Sequence, residues 1–243
     1  ELDCDVHRAS LELATEELHD INGTVTIMGV MENDKVYNWG NLNLDTVMLW
    51  DSQATRVSGP FYLDNQRLAL GTVAPQLDPQ APQKSVTANW LAGKLVLDGD
   101  IKLLENLPFG LVASLNNARL EDFADELAPQ LDSLSGQARI GIQLTGTADG
   151  THTLSGLGSI RMENAQIYEI PMMLSMLKLL SVQQMDRTAF NTSNIQFEIK
   201  GDRILLRNID FIGDAISLKG VGEIDLNRRV QAQFHSTLSL IHI

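Results

Sequence analysis

Apolar and polar residues alternate one by one along much of this chain, and a period of two corresponds to a strand with one greasy face and one wet face. Between Asn194 and Lys200, Ile195, Phe197 and Ile199 point one way and Gln196, Glu198 and Lys200 the other. Gly201-Asp202 marks a turn, and Ile204 and Leu206 follow, then Ile209 and Phe211. After Gly213-Asp214 come Ile216 and Leu218, then Ile224 and Leu226 opposite Glu223 and Asp225. The last run sets Val230, Ala232 and Phe234 against Arg229, Gln231 and Gln233. Short strands joined by tight turns predict an antiparallel meander.

The same grammar extends upstream. Ala138, Ile140, Ile142 and Leu144 share a face, as do Phe109, Leu111, Ala113 and Leu115. Val86, Ala88 and Trp90 form another set, followed by Leu95, Leu97, Ile101 and Leu103. Val25–Ile27, Leu42–Leu44 and Phe61–Leu63 are shorter candidates. Two segments read as helical. Leu120–Leu134 opens with acids that suit a helix N-terminus and is interrupted by Pro129. Residues 171–185 begin with Pro171 and are rich in Met and Leu, including Met173, Leu174, Leu177 and Leu180. The fold class is therefore mainly β: an antiparallel sheet of repeated strand-turn-strand units with one or two short helices.

Gln76–Gln83 holds two prolines and three glutamines and does not suit a strand interior. It divides the chain into a β-rich part, 1–80, and a longer β array, 81–243. An apolar residue, a spacer and a glycine recur at Ile21-Asn22-Gly23, Leu97-Asp98-Gly99, Leu134-Ser135-Gly136, Leu154-Ser155-Gly156 and Leu218-Lys219-Gly220. Such glycines mark bulges and bends of any twisted sheet, or one bending unit used repeatedly to curl it.

Chemistry is sparse. The five histidines form no short-spaced ligand pair, and the single cysteine, Cys4, can form neither an intrachain disulfide nor a Cys-rich zinc site. There is no phosphate-binding loop and no nucleophile elbow. No catalytic residue, metal site or cofactor is therefore assigned, and the chain reads as a non-enzyme. A formal net charge of -13 repels phosphate backbones, which argues against nucleic acid as a partner. No segment reads as a signal peptide or a membrane-spanning helix, and the chain reads as a piece of a longer protein whose membrane association lies in a segment outside it.

Many one-faced strands need cover and only two short helices are on offer. Either the sheet closes on itself, or it curls into a gutter that meets something apolar. The inward candidates are almost all aliphatic, and aromatics are only 5% of the chain, which suits acyl chains better than the stacking platforms a carbohydrate needs.

From Leu154 onward the chain resembles the C-terminal region of AsmA-like proteins of the bacterial envelope. The resemblance is carried by Gly156–Met162, by Ile170-Pro171 opening the Leu/Met-rich segment, by Asp186–Phe190, and by Ile195-Gln196-Phe197. Most specific is Phe211-Ile212-Gly213-Asp214-Ala215-Ile216-Ser217-Leu218-Lys219-Gly220-Val221-Gly222-Glu223-Ile224-Asp225-Leu226. Residues 86–146 are compatible with the preceding repeats, and residues 1–80 match in strand character alone. The resemblance implies a long curved antiparallel sheet, gutter-like, with a greasy inner surface, in the periplasmic domain of an inner-membrane-anchored protein. It also implies a role in phospholipid transport between the membranes and in outer-membrane assembly, with phospholipid or another acyl-chain lipid, and other envelope proteins, as partners. The residues expected to line the groove are Ile195, Phe197, Ile199, Ile204, Leu206, Ile216, Leu218, Ile224, Leu226, Val230 and Phe234. Met173, Leu174, Leu177 and Leu180 would cover one end or belong to a core helix. The alternatives are an interaction module with a closed β core that docks by edge-strand addition, and an acidic carbohydrate-active enzyme, which requires two carboxylates converging in a cleft.

Overall fold

The computed structural model describes residues 1–13, 16–49, 51–75, 83–129, 134–165, 192–213, 216–225 and 229–238. The strands are β1 (Leu2–Leu13), β2 (Glu16–Glu32), β3 (Lys35–Leu49), β4 (Ser52–Asp64), β5 (Arg67–Leu70), β6 (Val86–Trp90), β7 (Gly93–Lys102), β8 (Phe109–Arg119), β9 (Gln137–Gly146), β10 (Ser155–Glu163), β11 (Thr192–Lys200), β12 (Arg203–Ile212), β13 (Ile216–Asp225) and β14 (Val230–Leu238). One α-helix, α1 (Leu120–Leu127), joins β8 to β9. All fourteen strands belong to one long antiparallel sheet, the meander that the alternation predicts, and it is consistent with the curved sheet that the resemblance implies. Nearly every strand pairs with its neighbours in sequence, because short connections leave an antiparallel strand nowhere else to go.

β5 and β6 break this rule in an informative way. Both pair with β4 on one side and β7 on the other, so they lie end to end and fill a single strand position. The chain leaves the sheet after Leu70 and re-enters at Val86. Asp98 of β7 holds both legs of this excursion: Oδ1 accepts the Thr72 N–H at 2.6 Å and Oδ2 accepts the Ser85 hydroxyl at 2.9 Å. A Cβ at Gly71, whose φ is +74°, would collide with that carboxylate, so the exit needs glycine. Residues before and after the excursion are thus hydrogen-bonded into the same sheet. Positions 76–82 of the proline-rich segment lie outside the described residues.

Since the meander reverses at every turn, the sheet has two long rims. On one lie the connections β2–β3, β4–β5, β7–β8, β9–β10, β11–β12 and β13–β14, the longest of them residues 147–154. On the other, α1 and the long connection between β10 and β11 are inserted. At the first rim, Asn33 and Asp34 both have positive φ (50° and 61°), the geometry of a two-residue hairpin whose twist matches the strands. At the second, Leu91 and Ala92 take the same left-handed conformation at φ 50° and 54°, which is costly for leucine. The Leu91 side chain is buried in the core beside α1, which offsets that strain.

The acids at the start of α1 fit the predicted helix N-terminus, and the helix ends at Leu127, just before Pro129. Its Leu120 and Ala124 are buried with Leu115 and Ala118 of β8, Ala138 of β9, Ile209 and Phe211 of β12 and Leu218 of β13. Ser52, 0% exposed, ties the helix to the sheet: its hydroxyl accepts the Trp90 indole N–H at 2.6 Å and donates to the Glu126 carboxylate. The second predicted helix, 171–185, lies outside the described residues.

The opposite face is mostly polar, with Val112, Leu157 and Val221 exposed among its polar residues. Across it Asp5, Thr24, Asn43, Ser58 and Thr87 are successive cross-strand partners, as are Ser114, Gly141, Ser159, Gln196 and Asn208. Lys200 and Arg207 flank Glu198, whose carboxyl they hold below the usual range through hydrogen bonds. Such exposed pairs contribute little stability and serve mainly to keep this face in water.

Candidate functional site

Pairing register turns the alternation into two unbroken apolar rows that run at right angles to the strands. The first row starts at the β1 edge with Leu2, Ile27, Gly40, Phe61 and Leu70. It continues through Gly99, Leu111, Leu144 and Gly156. It ends with Ile199, Ile204, Ile224 and Val230. The second row passes through Cys4, Val25, Leu42 and Gly59, crosses to Val86, and goes on to Leu97, Ala113 and Ile142. Gly158, Phe197, Leu206, Gly222 and Ala232 complete it. No position in either row is polar, counting cysteine as a small hydrophobe. Twelve steps of about 4.8 Å make each row roughly 58 Å long.

Glycine and phenylalanine shape this floor. A Cβ at Gly158 would overlap the Phe197 ring, and one at Gly220 would lie 2.6 Å from Phe234. Each ring therefore lies down over a glycine on the neighbouring strand, which shields that backbone and keeps the floor low. Phe211 and Phe234 have β13 between them, yet their ring centroids are 6.3 Å apart. Strands two apart are separated by about 9.6 Å, so the inner side chains converge, as on the concave side of a curved sheet.

Burial is graded along the strands. At the α1 rim, Ala118, Ala138, Ser193, Phe211 and Leu218 are buried. Toward the short-turn rim, Leu111, Leu144, Ile199, Ile204 and Ile224 are only half-buried. The gradient divides the residues expected from sequence. Phe197, Ile199, Ile204 and Ile224 lie on the half-buried floor, and Val230 on the last strand is 48% exposed. Ile195, Leu206 and Phe234 are half-buried and pack against the core around α1. Leu218, at 2% exposure, belongs to that core. Ile216 sits at the α1-rim end of β13, paired with Leu238. Leu226, Met173, Leu174, Leu177 and Leu180 lie outside the described residues.

Pairing also brings into the floor positions that the sequence did not name as groove residues: Leu97, Leu111, Ala113, Ile142, Leu144, Gly156 and Gly158, with Ile27, Leu42 and Leu70 further out. Their alternation is legible in part, but only the register places them in the same rows. The Ser193 hydroxyl, deep on this face between Met162 and Phe211, has no hydrogen-bond partner among the described residues. Among the described residues no three His, Cys, Asp or Glu side chains group to hold a metal ion, and no helix is long and apolar enough to cross a membrane. No protein-family model, curated protein or solved structure matches the chain.

Proposed function

We propose that this chain is a non-enzymatic module of an AsmA-like envelope protein that holds phospholipid acyl chains against its apolar face. The observation that carries the reading is the pair of rows free of polar side chains from β1 to β14. A face meant only for core needs cover along its whole length, whereas half of this one stays partly exposed among the described residues. Its aliphatic lining supplies area without directed hydrogen bonds, which is what flexible methylene chains require. Each buried CH2 contributes about 0.8 kcal/mol, so even part of one tail binds well. At roughly 58 Å, each row exceeds the hydrocarbon thickness of a bilayer, about 30 Å, which suits passage of lipid between two membranes from a periplasmic position. Contribution to outer-membrane assembly follows from the same transport role, and anchoring belongs to a segment outside this chain.

Native mass spectrometry of the protein purified from bacteria, with organic extraction of what travels with it, tests the reading. Phospholipid at one or more molecules per chain is expected. A stable, lipid-free chain would contradict it.

A second reading, docking by edge-strand addition, has its own support. β14 pairs with β13 over nine positions without a register shift, and it carries no Asp, Glu, Lys, Arg or Pro. β1, by contrast, has two register shifts, a left-handed Arg8 and several charges, the usual protection of an edge. An extended segment of another envelope protein added at β14 would prolong both apolar rows.

A further inference from the structure

The burial gradient has a length, and that length narrows the ligand. From the half-buried row to the buried wall is six residues on three separate strands: Leu144 to Ala138 on β9, Ile199 to Ser193 on β11, and Ile224 to Leu218 on β13. Six residues of strand span roughly 20 Å. One leaflet of a bilayer supplies about 15 Å of hydrocarbon, so the face is one acyl tail deep. Its two rims differ. At the back, Ala118, Ala138 and Phe211 are buried in one cluster with Leu120 and Ala124 of α1, and the face is closed there. At the front, the connections β11–β12 and β13–β14 are short, and the inner-face residues beside them are half-buried (Ile199, Ile204, Ile224) or exposed (Val230).

We infer, on the basis of the acyl-chain reading above, that the groove measures tail length. The ligand is a phospholipid whose tails lie along the strands and whose headgroup sits at the short-turn rim. Its terminal methyls stop at the wall of Ala138, Ser193, Phe211 and Leu218. Successive lipids then stand side by side along the apolar rows. Methylenes beyond the wall would have to fold back or leave the face, and each one returned to water costs about 0.8 kcal/mol, about a fourfold loss in occupancy. Phe211 is the specificity-determining side chain of the wall, because its ring is buried in the cluster that holds Leu120 and Ala124 and stacks on Phe234.

The test offers the protein vesicles with equimolar phosphatidylcholines of about 12, about 16 and about 24 tail carbons, spanning less and more than the leaflet depth of about 15 Å. Bound lipid is recovered and measured by mass spectrometry. The longest species is expected to be depleted at least about tenfold relative to the middle one, which corresponds to fewer than two methylenes displaced. In Phe211→Leu, a milder truncation chosen to keep the fold, the long-tail fraction is expected to rise about fourfold, as for roughly one methylene accommodated. A flat length profile in the unaltered protein overturns the inference while leaving the acyl-chain reading standing. An unchanged long-tail fraction in a folded Phe211→Leu protein overturns the placement of the wall. Uptake of no lipid of any length overturns the acyl-chain reading itself.

Discussion

Ile204→Asp combined with Leu144→Asp is expected to yield a folded protein that no longer retains phospholipid. Both residues lie in the first apolar row, on β12 and β9, with two strands between them. Both are half-buried, so a carboxylate at either position reaches water, and each substitution costs about 1–3 kcal/mol of stability. The effect on lipid is larger. If each charge excludes about four methylenes from its surroundings, about 3 kcal/mol of binding is lost per site, a hundredfold or more. Circular dichroism and thermal melting report the fold, and extracted lipid per chain reports retention. Full lipid content in the folded double variant would place the acyl chains away from this row.

Leu218→Ala is expected to act in the opposite way, on stability first. Leu218 lies on the same face but at the α1 rim, 2% exposed, in one cluster with Ile209, Phe211 and Ala124. Truncation there removes buried methylenes and leaves a cavity that strands held in register cannot close, a cost of about 2–5 kcal/mol. For a domain of this size the melting temperature is expected to fall by roughly 4–20 °C. A change of less than about 1 °C, with retention lost instead, would mean that Leu218 touches lipid and not core. These two substitutions separate residues that period-two alternation treats alike.

That separation shows what the sequence can and cannot carry. Alternation identifies strand and face with little ambiguity from β9 to β14, because tight turns such as Gly201-Asp202 break the chain at regular intervals. It also survives the extra step between Leu206 and Ile209, since a bulge there absorbs the added residue and returns Ile209 and Phe211 to the inner face. Upstream the signal is weaker. β2 runs for seventeen residues, but register shifts between His19 and Gly23 interrupt its alternation, so only Val25–Ile27 reads as strand. The excursion between β5 and β6 also hides from pattern reading. A strand position filled by two separate segments is created by pairing with β4 and β7, and proline-rich sequence between them looks the same as a linker.

Site residues were legible as to face and not as to depth. Which end of a strand is buried depends on where α1 packs, and that is set by contacts far apart in sequence, among them Ser52 with Glu126 and with Trp90. The glycines illustrate the same limit. Gly220 belongs to the recurrence visible in sequence and Gly71 and Gly158 do not, and the reason for glycine differs from site to site. Gly71 makes way for the Asp98 carboxylate, and Gly158 and Gly220 make way for phenylalanine rings of the next strand. Only the last two shape the apolar floor.

The central claim is that one face of this sheet holds lipid along its whole width. Photo-crosslinking from single positions tests it most directly. A photoreactive residue is placed in turn at Ile27, Leu111 and Ile204, which sample the first row on β2, β8 and β12, and at Leu157, which is 60% exposed on the polar face of β10. After irradiation in cells, phospholipid adducts are expected at all three row positions and not at Leu157. Adducts at Leu157 as strong as those in the row, or none at any row position in a folded protein, would contradict the account.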